Sequence, residues 1–269
     1  MRNVTSGEKD KVLRKIAVAL SKKFSGWAKS LNSRYRFRSY SDVKHGLGLF
    51  IKGREVGWPA PYNDIKVIVE FRPSMTASAG TEFEGGKASS TLVLGTPYPP
   101  TEELAESLQR VYKAQKAGRE PDEYDINFLK AFIMNVSREE FMVHELTHLV
   151  DNIRIGPRAQ KIFRPYADKQ SYINSPLEMN AFFQQAASKV DKHFEFVLDH
   201  GDAQDIKYEI LREPLRGYTK FFLQNLHPGV WDNLTQANRH RFLKRIAGSY
   251  KELQAAARER MRKLQGGRS

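Results

Sequence analysis

The chain has 269 residues, of which 40% are hydrophobic, with a net charge of +13 and no cysteine. This is enough apolar material for one large core or two small ones, and the absence of cysteine excludes disulfides and thiolate ligands, leaving His, Glu and Asp for any metal. With no run of about 18 apolar residues and no continuous apolar segment at the N-terminus, neither a transmembrane segment nor a signal peptide is expected, and a cytoplasmic setting is.

The charge is uneven. Residues 1–38 carry eleven Lys or Arg against Glu8 and Asp10, residues 239–269 carry ten against Glu252 and Glu259, and the middle is left at −4. Two basic ends therefore flank a mildly acidic centre. They read either as solvated helix faces or as attraction to nucleic acid or another polyanion, which is long-range electrostatics and not sequence readout.

In chain order, Leu13, Ile16, Leu20, Phe24, Trp27 and Leu31 recur at spacings of three and four, predicting an amphipathic helix over residues 8–31. A β-rich region follows. Leu47–Lys52 is a short apolar run, Asp64–Phe71 alternates with Ile65, Val67, Val69 and Phe71 on one face, and Thr81–Glu84 and Ser90–Leu94 add two short strands between Gly- and Ser-rich turns. A small, twisted, mostly antiparallel sheet is expected. Its edge could pair with an extended peptide. Pro97–Pro100 ends the sheet, and the rest reads as helical: Thr101–Lys116, a polar linker over Lys116–Asp125, Ile126–Met134, and closing segments over Ile206–Leu226 and Trp231–Leu264.

Within the helical part, Arg138–Arg154 has no Pro or Gly, and Ser137 with Glu140 predicts a capping box at its start. It contains His144-Glu145-Leu146-Thr147-His148. Residues four apart share a helix face, so His144 and His148 can offer two imidazoles to one ion while Glu145 reaches a water beside it as general base. Met142, Leu146, Leu149 and Ile153 form an apolar stripe opposite the histidines.

A catalytic zinc takes three protein ligands, so two histidines need a companion. No further His occurs before His193. Glu178 is the best candidate: Ser175 is a natural N-cap, Pro176 suits the first helical position, and Glu178 falls in the first turn of a new helix after a loop over Ile155–Asn174. Ser175-x-x-Glu178 is also a capping box, which would turn the carboxylate to its own helix end. Asp151 is the alternative ligand, but seven residues separate it from His144, which suits orientation of His148 better. For an oxyanion donor, Tyr172 comes first and His193 second.

His144-Glu145-x-x-His148 with Glu178 downstream resembles the zincin metallopeptidases of gluzincin type, most closely the small peptidases of phage and bacterial genomes, over roughly Ser90–Ala187. The resemblance implies an α+β, zincin-like core, which the chain's own pattern extends over 41–200; the basic helix over 1–40 and the basic helical extension over 201–269 lie outside the resemblance. It also implies Zn2+ held by His144, His148 and Glu178, with Glu145 as base and proton shuttle. A protein or peptide substrate would lie along an edge strand at Ser90–Leu94. Thermolysin-like members carry an aspartate four residues after the ligand glutamate, where this chain has Phe182. Two other readings predict different behaviour. A virion or assembly protein that keeps the shape without catalysis would not cleave peptides, and a nucleic-acid binder with an accidental motif would hold no metal.

Overall fold

Leu13, Leu20, Phe24 and Trp27 are buried on one face of α1 (Ser6–Ser30), with Leu31 buried just past its end and Ile16 half-buried. The structure is a computed structural model that describes residues 6–37, 39–43, 46–70, 78–84, 87–95, 102–155 and 168–266. The chain is α+β and mostly helical, with one small mixed sheet. It divides into two compact units, Lys15–Arg164, and Met1–Arg14 with Pro165–Ser269.

The first unit holds the sheet, β1 (Ser39–Val43), β2 (Gly46–Lys52), β3 (Lys66–Glu70), β4 (Ser78–Glu84) and β5 (Lys87–Leu94), in the order β1-β2-β3-β5-β4. Three pairings are antiparallel, and β3 with β5 is parallel, Val67 standing opposite Leu92. Alternation sets the faces: Ile65, Val67, Val69, Leu92 and Leu94 all point into the core. Phe71, the Pro97–Pro100 stretch and the Thr101 cap lie outside the described residues.

The sheet contains one strand that the pattern did not predict, and one expectation about it is corrected. Ser39–Val43 forms a strand although Ser-Tyr-Ser-Asp-Val has no apolar alternation, because all five of its residues pair with Gly46–Phe50 of β2. Ser90–Leu94 is not an edge: β5 returns from β4 into the sheet interior and is paired on both sides. Among the described residues the outer strand on that side is β4.

Three helices accompany the sheet: α2 (Glu102–Lys116), α3 (Glu123–Val136) and α4 (Glu139–Ile155). α4 lies against β4 and β5. The core is continuous from α1 through the strands to Met142, Leu146 and Leu149 of α4. The Trp58 indole adds a tie by donating to the Leu20 carbonyl at 2.9 Å. Ser137 closes α3, its amide donating to Ile133, and α4 begins two residues later at Glu139.

The second unit is helical. The stretch read as a loop before Ser175 contains α5 (Lys169–Ile173), and residues 156–167 lie outside the described residues. α6 (Pro176–His200) starts at the Ser175 N-cap as expected and is followed by α7 (Ala203–Ile206), which continues into a π-helical turn to Leu211. Then come α8 (Leu215–Gln224), α9 (Val230–Asn233) and α10 (Gln236–Gly266). Their core is aromatic, with Phe183, Tyr218, Phe222 and Phe242 buried together. Arg14 is buried beside it and satisfied, pairing with Asp191 at 2.8 Å and donating to Gln184 at 3.0 Å. No helix among the described residues is long and apolar enough to cross a membrane.

Candidate metal centre

α4 is buried on more than the predicted stripe: Val143, Thr147, Val150, Asp151 and Asn152 are enclosed as well as Met142, Leu146 and Leu149. Thr147 satisfies its hydroxyl locally, donating to the Val143 carbonyl at 2.6 Å. His144 and His148 are 7% and 5% exposed, and Glu145 between them is half-buried.

The two imidazoles meet with their Nε2 atoms 3.3 Å apart and ring planes at 79°. Two nitrogens each bonded to one zinc ion at the tetrahedral angle would be separated by about 3.3 Å. An N–H···N hydrogen bond spans a similar distance, so the pair by itself does not define a metal site.

The third group comes from the first turn of α6. Glu178 is 5% exposed, a burial that a carboxylate tolerates only with partners. One donor atom from each of His144, His148 and Glu178 lies within 4.8 Å of the others. This buried group could bind a metal ion. The donors alone do not choose between zinc, iron and manganese.

The capping alternative for Glu178 is half realised. The Ser175 hydroxyl accepts the Glu178 N–H at 3.2 Å, while the Ser175 N–H, which a capping-box carboxylate would take, donates to the Tyr172 carbonyl at 3.1 Å. The turn that presents Glu178 is pinned by a residue that sequence reasoning passed over. The Asn174 side chain donates to the Asn233 carbonyl at 2.7 Å and accepts from the Thr235 N–H at 2.8 Å and from Asn238 Nδ2 at 3.0 Å. An Asn beside an N-cap is too common a turn residue to signal this on its own.

Asp151 is buried on α4 but does not belong to the three-residue group. Asn152, four residues after His148 and 1% exposed, has neither its amide nitrogen nor its amide oxygen hydrogen-bonded among the described residues, a state that a bound water would relieve. Its spacing from the histidines was visible in the sequence; its burial was not.

Tyr172 lies on α5, whose N-cap Asp168 accepts the Ser171 N–H at 2.7 Å, a bond that holds the Asp168 carboxyl below the usual carboxylate range. The Tyr172 ring meets the edge of Phe182, one turn beyond Glu178, at 6.2 Å, and the His227 ring meets Phe182 at 5.8 Å. Phe182 thus sits in an aromatic cluster. His193 is corrected as a donor: it is exposed, against Phe194 and Phe221, and fifteen residues from Glu178 on the same helix, about 22 Å along the axis. Comparison with protein-family models, with curated proteins and with solved structures finds no match.

Proposed function

We propose that this chain is a metal-dependent peptidase of zincin-like arrangement, with zinc the favoured ion. One observation carries the reading: two buried imidazole nitrogens at the spacing of a shared tetrahedral ion, with a buried carboxylate in the same group. Three ligands of this kind leave one position for substrate or water, as catalytic zinc sites do.

His144 and His148 would hold the ion through Nε2 and Glu178 through a carboxylate oxygen. The bound ion supplies Lewis acidity, which acidifies water and polarises a peptide carbonyl. The Glu145 carboxylate takes the proton of the attacking water and delivers it to the leaving amine nitrogen as the C–N bond breaks. The Tyr172 hydroxyl donates to the carbonyl oxygen as charge develops there, with His227 the second candidate because it borders the same Phe182 ring. The substrate backbone is oriented by pairing with the outer edge of β4, the strand that packs on α4. The cytoplasm or a virion is the proposed setting, in keeping with a chain free of cysteine.

The test is cleavage of an unstructured protein substrate by wild type and Glu145→Gln, with metal measured in both. The proposal expects equal metal and a loss of turnover of about 100-fold or more in the variant. Equal cleavage by the two proteins would contradict it.

A further inference from the structure

The long terminal helix α10 carries nine Lys or Arg against Glu252 and Glu259. Both acids are already engaged, Glu259 by Lys263 at 2.8 Å and Glu252 by Lys11 at 3.7 Å. The cations divide by face. Arg239 packs over Trp231 and Arg245 over Phe183 as part of the unit's own structure. Arg241, Lys244, Lys251, Arg258 and Arg262 are exposed and recur at steps that keep them on one side of the helix. Among the described residues their side chains make weak, local hydrogen bonds, from Arg241 to Asn238 at 3.4 Å and from Arg258 to Gln254 at 3.3 Å. Among the described residues none of the five forms an ion pair within 4 Å, although Arg262 lies in the field of Glu259, whose closer partner is Lys263.

The positions that complete this stripe are Gly248 and Ala255, both exposed. A Cβ added at Gly248 would meet nothing within 4 Å, so packing within the chain does not require glycine there, and glycine weakens a helix interior. The effect is a pair of gaps between successive cations, into which another molecule's backbone can settle closely. The same alternation recurs on α1, where exposed Lys15, Lys22 and Lys29 are separated by Ala19 and by Gly26, whose Cβ position is likewise open.

We propose that this stripe of α10 is a docking face for the phosphate backbone of double-stranded nucleic acid, bound without regard to sequence. From Arg241 to Arg262 the stripe runs about 32 Å, close to one turn of duplex. Exposed cations in a row neutralise phosphates and release counterions. Single strands are a poorer fit, because the stripe carries no aromatic side chain on which bases could stack. An anionic membrane is a poorer fit too. An interfacial helix needs bulky apolar residues on its exposed side, and the half-exposed Leu243 sits about 100° round the helix from the stripe. The inference does not depend on the peptidase reading, since binding is read without metal or turnover.

The experiment is fluorescence anisotropy of the full chain with a labelled 20-base-pair DNA duplex of arbitrary sequence, between 50 and 200 mM KCl. Five phosphate contacts predict a slope of log K against log salt of about −4.5. Replacing Lys244, Lys251 and Arg258 together by Ala should make that slope shallower by about 3 and weaken binding at least tenfold at low salt, with circular dichroism and Tm unchanged. Gly248→Leu should weaken duplex binding while leaving Tm unchanged or raised, which a purely structural role would not produce. An unchanged slope in the triple variant would overturn the proposal. So would equal binding of single strands of the same length, or binding to phosphatidylserine vesicles without binding to duplex.

Discussion

At the scale of single residues, the site follows from three side chains whose burial demands partners. His144, His148 and Glu178 are each at least nine-tenths enclosed, and ionisable groups in such places are paired or bound to metal. The histidine pair was legible in the sequence because helix geometry alone fixes residues four apart. Glu178 was legible only as one of two options, and it took the Tyr172 carbonyl on the Ser175 amide to weaken the other. Asn174 was not legible, since its partners lie about sixty residues away. Asn174→Ala is expected to lower stability by about 1–3 kcal/mol in urea unfolding, because it strands several hydrogen-bonding groups at the corner before α6. It should also weaken metal binding, because Glu178 is four residues on. Unchanged affinity would show that the corner does not position the carboxylate.

At the scale of elements, the sequence gives helices by period and strands by alternation, and it loses strand order. Nothing in Ser90–Leu94 reveals that β5 turns back inside β4, because order depends on long-range pairing and not on local pattern. The consequence is chemical: among the described residues the outer strand beside α4 is β4. The metal helix also shows how unevenly burial weights its residues. Leu149 is fully buried, and Leu149→Ala should cost about 2–5 kcal/mol in urea unfolding. Phe141, 39% exposed on the same helix, should cost far less when changed to Ala. Between α2 and α3, Arg110 donates to Asp125 at 2.8 Å and holds that carboxyl below its ordinary range. A carboxyl with its folded pKa depressed contributes stability above its unfolded value of about 3.9, and that contribution is lost as pH falls through the folded value. Urea midpoints of wild type and Asp125→Asn should therefore differ at pH 7 and converge towards pH 2. A gap that persists in acid would contradict the ion-pair account.

At the scale of the whole molecule, composition said most about charge and least about arrangement. The two basic ends were countable in the sequence, but only the exposed sides of α1 and α10 separate cations that pack from cations that face solvent. If the chain binds metal only when folded, the ion stabilises it by mass action, and a chelator should lower Tm by several degrees or more. The most direct test of the central claim is the metal content of the purified chain. Elemental analysis of wild type, His148→Ala and Glu178→Ala, each checked for folding by circular dichroism, should give about one zinc per chain in wild type and little in either variant. No metal in wild type after incubation with zinc, or full metal in Glu178→Ala, would contradict the account.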